Sequence, residues 1–412
     1  VHEAGEIRVK VRVRASGRVN LIGDHTDYMG GLAMPMAIDR SIVIEGDRTG
    51  GRVQLVSDSE PDPASFELPV SDPASLRPDW ARYPGAVAAE LGADQGFVGT
   101  VSSDVPPGAG LSSSAALEVA AALALGADKP EGPEEALALA KLCQRAEHRA
   151  VGVPSGLMDQ LSICAGRTDH ATLIDFAGSD VEHVPVPARA RVWVVHSGQQ
   201  RRLDSSSYAE RRRCAEAAAD QVGPLPEADL SEIEALRDPL MARRARHVRT
   251  ECDRVRRFAD CLASGDLPGA GAEMVSSHAS LRDDYEVSTP GLDELVQRLC
   301  TTAGVYGARL TGAGFGGCAV ALTSPDFELS DIGGQWEGWE VRPTDGTDVL
   351  VLPSEAPGQG HSHQSFRPCS RMPSRRRLPA ACLRGVVGSN TCSVVLGSAV
   401  QRSRARGSTV AG

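Results

Sequence analysis

Aromatic residues are scarce, at 4% of the 412 residues. A core of ordinary size must then come from Val, Leu, Ile and Ala, which the 41% hydrophobic fraction supplies. An excess of basic charge is also missing. The net charge is −11, whereas a polyanion-binding protein usually carries the opposite balance, so nucleic acid is not expected as a main partner. Nowhere do about 18 or more apolar residues follow one another, and no membrane span is expected. The best stretch, Ala115–Ala127, is short and interrupted by Glu118. Val1, His2 and Glu3 lead into alternating charge rather than an apolar signal core. The ten cysteines include no CxxC or CxxxC pair. That spacing argues against a zinc site or a disulfide framework, and for buried, reduced thiols in a cytoplasmic protein.

The chain is long enough for two or three domains at roughly 150 residues each. No internal repeat is visible. From Ala356 to Gly412 there is no Asp or Glu but there are nine Arg, so the preceding residues carry −20. That stretch has no sustained period of 2 or 3.6. Residues 348–412 are therefore expected to be a basic extension, disordered or non-homologous.

Before this extension, strand and helix patterns alternate. Val9–Ala15, Ser41–Gly46, Val53–Ser57, Val98–Asp104, Ala171–Phe176, Val192–His196 and Cys318–Leu322 read as strands. Pro78–Leu91, Ala115–Leu125, Glu134–Val151, Ser207–Gln221, Ala242–Ser264 and Pro290–Cys300 read as helices. The class is α/β or α+β. Polar residues cluster at Ser197–Asp204, which predicts domains over 1–196 and 197–347.

Four stretches carry chemistry. The first, GRVNLIGDHTDY at Gly17–Tyr28, crowds Arg18, Asp24, His25 and Asp27 among glycines. Two carboxylates three residues apart suit the vicinal hydroxyls of a polyol, because charge-assisted hydrogen bonds are the strong kind; a solvated turn is the alternative. The second, PPGAGLSSSAA at Pro106–Ala116, joins a strand to an Ala-rich helix. Its glycines admit close approach of an anion, and the helix N-terminus points free N–H groups at it. It is not a Walker A loop, since no Gly-Lys-Ser/Thr follows; a serine capping the helix is the alternative. The third, TGAGFGGC at Thr311–Cys318, is a tight glycine turn. The fourth, GVPSGLMDQ at Gly152–Gln160, places Asp159 in an otherwise apolar stretch, where it is either a general base or a helix cap.

In this order, the four stretches resemble the galactokinases of the GHMP kinase superfamily. That family reads GRxNxIGEHxDYxxGxxxPxAI, PxGxGLSSSAA, GxMDQ and TGxGxGG. The resemblance spans about residues 9–347 and includes SSSYAERRRC at Ser205–Cys214. It implies an α+β, two-domain GHMP kinase fold. The N-terminal domain would be of the ribosomal protein S5 domain 2-like type and the C-terminal domain ferredoxin-like, with ATP and sugar between them.

The activity implied is ATP-dependent phosphorylation of the galactose C1 hydroxyl. Asp159 matches the catalytic Asp, and Arg18 the Arg beside it, whose charge would hold that carboxylate and stabilise the transferred phosphoryl group. Asp24, His25, Asp27, Gly156 and Tyr208 match sugar-contacting positions. Gly108, Gly110, Ser112 and Ser113 match the phosphate cradle, Ser114 and Glu147 the Mg2+ ligands, Trp80 an aromatic near the adenine, and Gly314 the third motif. The partners implied are sugar and ATP, and the state implied is a monomer. Asp24 stands where the family usually has Glu, one methylene shorter. A related sugar-1-kinase acting on L-arabinose, N-acetylgalactosamine or a uronic acid, or a non-catalytic sugar sensor, would share these motifs. Intact Arg18, Asp159 and Ser114 weigh against the sensor.

Overall fold

The computed structural model describes residues 9–106, 108–152, 155–199, 205–334 and 336–352. Strand β1 (Val9–Ile22) is followed by β2 (Leu32–Arg48), β3 (Arg52–Ser57) and β4 (Ala64–Glu67), then α1 (Arg82–Leu91) and β5 (Phe97–Ser103). Next come α2 (Ser113–Ala124), α3 (Pro133–Val151), α4 (Met158–Cys164), β6 (His170–Asp175), β7 (Asp180–Pro185) and β8 (Arg191–His196). The chain continues with α5 (Ser205–Val222), α6 (Leu230–Glu234), α7 (Pro239–Ser264), α8 (Leu267–Asp283) and α9 (Pro290–Thr301). It ends on β9 (Val305–Leu310), β10 (Cys318–Thr323), β11 (Glu337–Val341) and β12 (Thr347–Leu352).

Two sheets organise these elements. The first runs β12-β1-β2-β5-β3-β4, with β6 and β7 attached through β2. The second runs β11-β8-β10-β9. Every pairing is antiparallel except β3 with β5, which places the fold in the α+β class.

The alternation of Val9, Val11, Val13 and Ala15 with basic residues buries one face of β1. From Ala15 to Ile22 every residue is buried, because β1 there runs beneath the helices. Helix α2 is apolar nearly all round, and every residue from Ala115 to Ala124 is buried. Such a helix belongs inside a core, not on its surface. Helix α7 begins on Pro239 behind the cap Asp238, whose carboxylate accepts from Leu240 N, and stops at left-handed Gly265.

The division expected at residue 196 falls at the end of β8. That strand hydrogen-bonds to β10 and β11 in the second sheet, so the change of sheet falls between β7 and β8. Its Val192 and Val194 pack into the large core that the first sheet also lines, while Val195 packs into a separate cluster with Leu295 and Leu299 of α9. The expected extension at 348 is corrected. Residues 347–352 form β12, which pairs with β1 in register from Ala15 opposite Thr347 to Lys10 opposite Leu352. The rest of the extension, 353–412, lies outside the described residues. Among the described residues no helix is long and apolar enough to cross a membrane, and the seven described cysteines are free thiols.

Candidate active site

The first and second motifs are stitched together before any side chain is counted. Arg18 N donates to Leu111 O at 3.1 Å. A Cβ on Gly17 would come within 2.8 Å of that same carbonyl oxygen, so a glycine is needed where the loop crosses β1. The Arg18 side chain completes the junction. Its Nη1 donates to Gly110 O at 2.6 Å, while Nε (2.8 Å) and Nη2 (2.5 Å) both donate to Asp159 Oδ1. Arg18 is 4% exposed, and Asp159 opens to the cleft from the first turn of α4, its side chain 34% exposed. The arrangement is an ion pair with the cation buried beneath a partly exposed carboxylate.

Four residues of the second motif frame the start of α2. Gly108 and Gly110 have φ of 71° and 73°, a region that favours glycine. Ser113 and Ser114 open the helix, whose first N–H groups face outward from its N-terminus. Ser112 is the cradle residue that lies against the carboxylate. Its hydroxyl donates to Asp159 Oδ2. It also makes no side-chain cap bond to α2, although it occupies the N-cap position.

Asp27 and Gly156 meet directly. A Cβ on Gly156 would lie 1.5 Å from Asp27 Oδ2, so only glycine lets that carboxylate lie against the Asp159 loop. Burial, followed by the neighbouring Asp159 charge, pushes the Asp27 carboxyl up to about 6. Tyr208, from the first turns of α5, feels the Asp27 charge and packs 5.7 Å from the rings of His25 and Tyr28.

His25, expected at a sugar-contacting position, has both ring nitrogens within hydrogen-bonding distance of protein atoms. Nε2 lies 3.2 Å from Ala313 O, and Nδ1 lies 2.9 Å from Tyr28 OH. A carbonyl only accepts, so Nε2 carries a proton. Tyr28 OH also hydrogen-bonds Tyr285 OH at 2.7 Å. Tyr285, fully buried, escaped the sequence reading; an aromatic in the charged stretch RDDYE was its only signal.

Asp24, also expected at a sugar-contacting position, is buried. It is 2% exposed, and its carboxylate is taken up by protein rather than presented to the cleft. Arg309 Nη2 donates to Oδ2 at 2.6 Å and Gly312 N donates to Oδ1 at 3.2 Å. Arg309 is wholly buried in β9, just ahead of the third motif. An arginine inside an otherwise apolar strand demands an anion, and that was the signal available. The third motif therefore closes on the first: Thr311 Oγ1 donates to Asn20 O at 2.9 Å. Gly314 of the third motif packs against Val287, whose carbonyl oxygen would sit 2.3 Å from a Cβ there. Behind the first motif, α7 grips its backbone. Glu251 accepts from Gly23 N at 3.0 Å and from Arg254 Nε at 2.7 Å, and His247 Nε2 donates to Asp24 O at 3.1 Å. Burial works to raise the Glu251 carboxyl, but Arg254 and its neighbours outweigh it and hold it at about 2. Burial pushes His247 down to about 4, so it stands neutral.

Glu147 accepts from Ser155 Oγ, and from Gln160 Nε2 at 3.0 Å. The same amide reaches Glu118 Oε2 at 3.0 Å. Burial, and then the Asp159 charge, push Glu147 up; burial, and then Glu147, push Glu118 up. Three carboxyl groups thus gather beside α2; burial favours the neutral form of Glu118 and Glu147, and Arg18 is bonded to Asp159. Hard carboxylate and hydroxyl oxygens of this kind suit Mg2+ when phosphate oxygens complete its shell. Among the described residues no group of three or more His, Cys, Asp or Glu forms a self-sufficient metal cage. Trp80, expected to pack near the adenine, is 5% exposed and donates Nε1–H to Asp62 O at 3.0 Å.

Comparison with known proteins agrees with this architecture. The GHMP kinases N terminal domain family matches residues 82–167, the GHMP kinases C terminal family residues 258–338, and the galactokinase galactose-binding signature residues 5–48. The chain is 43% identical over 351 residues to the galactokinase of Bos taurus, covering 78% of this chain and 89% of that protein. It is 44% identical over 369 residues to the galactokinase of Homo sapiens, covering 83% and 93%. The crystal structure of Lactococcus lactis galactokinase complexed with galactose superposes with a TM-score of 0.75 at 29% identity, covering 82% of this chain and 95% of that one.

Proposed function

The chain belongs to the galactokinase family of the GHMP kinases, and we propose that it transfers the γ-phosphoryl group of ATP to the C1 hydroxyl of galactose with Arg18 and Asp159 at the reacting oxygen. The observation that carries this reading is the Arg18–Asp159 pair. It is tied through Gly110 O to the loop that opens α2. One bidentate contact holds the acceptor-activating carboxylate, and the same guanidinium anchors the loop that faces the phosphates.

The C1 oxygen attacks the γ-phosphorus with its own electron pair. The bond from that phosphorus to the β–γ bridging oxygen breaks, and its pair leaves on ADP. The proton of the C1 hydroxyl passes to Asp159 and then to solvent. In a loose transition state the protein chiefly positions the reactants and offsets charge. The N-terminus of α2, with Gly108, Gly110 and Ser113, binds the phosphates. Ser114 and Glu147 would hold magnesium, which neutralises phosphate charge when bound. Asp27, seated on Gly156, accepts hydrogen bonds from sugar hydroxyls, and Tyr208 walls the same side.

Incubation with galactose, ATP and Mg2+, followed by 31P NMR, should show one new anomeric phosphate resonance of α configuration and stoichiometric ADP. Galactose binding without turnover would establish a sensor and overturn the kinase assignment.

A pH dependence follows from Asp27. Its carboxyl titrates at about 6, so it is an acceptor above that pH and takes up a proton below it. The KM for galactose should stay flat from pH 8 to 7 and then rise, by roughly tenfold per pH unit once well below 6. The KM for ATP should not follow. Initial rates between pH 5 and 8 check this, and a galactose KM independent of pH would remove Asp27 from the sugar site.

A further inference from the structure

Ser112 bears two energetic costs that its place in the loop does not explain. Its backbone sits at φ 57° and ψ 48°, the left-handed region where a residue with a Cβ is strained. It stands in a loop that already uses glycine at 108 and 110 for the same kind of turn, and glycine would adopt this conformation freely. It is also the N-cap residue of α2. A serine there usually stabilises the helix by accepting from an N–H of its first turn, yet the Ser112 side chain makes no such bond. Its hydroxyl is turned to Asp159 Oδ2.

That contact completes a fixture. Arg18 Nε and Nη2 hold Oδ1 of the carboxylate, and Ser112 Oγ holds Oδ2. Held on one oxygen alone, the carboxylate could still turn about its Cβ–Cγ bond. Held on both, its torsion is set, and the remaining lone pair of Oδ2 has one direction. Arg18 Nη1 and Arg18 N meanwhile bind Gly110 O and Leu111 O. The ring Gly110–Leu111–Ser112–Asp159–Arg18 therefore closes on itself.

We propose that Ser112 is a positioning residue for the transfer, fixing the orientation of the Asp159 carboxylate and linking it to the loop that opens α2, and that it is not a phosphate ligand. This rests on the reading of Asp159 as the proton acceptor. Misalignment of a reacting group by about an ångström can cost on the order of a hundredfold in rate without weakening binding.

The test compares Ser112→Gly and Ser112→Ala in the full-length enzyme, with Asp159→Asn alongside. Both Ser112 variants lose the hydroxyl. The glycine variant relaxes the left-handed backbone and should melt at or above the parent temperature, whereas the alanine variant keeps the strain. The expected result is the same fall in kcat for both, about 10- to 100-fold, with the KM values for ATP and galactose within about threefold of the parent. A tenfold rise in the ATP KM with kcat retained would make Ser112 a phosphate ligand and overturn the proposal. Unchanged kcat in the glycine variant would overturn it as well, leaving a local structural role. If Asp159→Asn retains full turnover, it is the assignment of the proton acceptor that has failed; if Asp159→Asn is inactive while Ser112→Gly is not, only the role of Ser112 has.

Discussion

Replacing Asp159 by asparagine should lower kcat by about two to four orders of magnitude, the range typical for loss of a positioned general base. Asparagine is chosen over alanine for a physical reason. Arg18 is 4% exposed and donates twice to Asp159 Oδ1. Alanine would strand that buried guanidinium, and the loss of rate would be mixed with a loss of stability. An amide keeps an oxygen for Arg18 but cannot take up the sugar proton. The KM for ATP should remain within about threefold, since the α2 N-terminus and its glycines are untouched. Steady-state kinetics with both substrates varied, beside a thermal melt, separates the contributions. A variant that turns over at the parental rate would disprove the assignment of Asp159.

The largest effect on stability is expected at Arg309. Its side chain is wholly buried and its ion pair with Asp24 is 2.6 Å long. Removing one member of such a pair leaves the other charge in an apolar interior, at a cost of about 3–5 kcal/mol. Arg309→Leu should lose that much unfolding free energy in urea titrations. Adding Asp24→Asn should recover part of it, because the stranded charge disappears. Asp24 also shares a hydrogen bond with Gly312 N and lends its carbonyl to His247, so the single variant should weaken galactose binding through a displaced first motif. A loss below about 1 kcal/mol, or a double variant no more stable than the single one, would show that the pair is dispensable.

The sequence shows these elements with uneven clarity, and the reasons are local. Helices α2, α3, α7 and α9 follow from unbroken apolar periodicity with Pro or Gly at their ends. Helix α8 does not, because Pro268, Gly269 and Gly271 give it the composition of a loop. Its glycine at 271 is required instead by close approach to β9, where a Cβ would meet Tyr306 O at 2.1 Å. Strand β12 was hidden inside a stretch read as an extension, since its alternation spans six residues and its partner lies more than 300 positions earlier. The chemistry divides in the same way. Arg18, Asp159, Asp27 and Gly156 stand out in motifs, and the fold brings them together. Arg309, Tyr285, Glu251 and His247 lie outside them and act by burial and hydrogen bonding, which depend on tertiary neighbours that no local pattern shows.

The pairing of β12 with β1 has a consequence for how the molecule is made. Synthesis delivers Val9–Ile22 almost first and Thr347–Leu352 almost last among the described strands. Until the latter emerges from the ribosome, the outer edge of the strand bearing Arg18 has no hydrogen-bonding neighbour of its own, and an open edge is a template for another nascent chain. The part of the polypeptide that carries Arg18 is therefore translated early yet finished late, and its maturation waits on the last of the described strands.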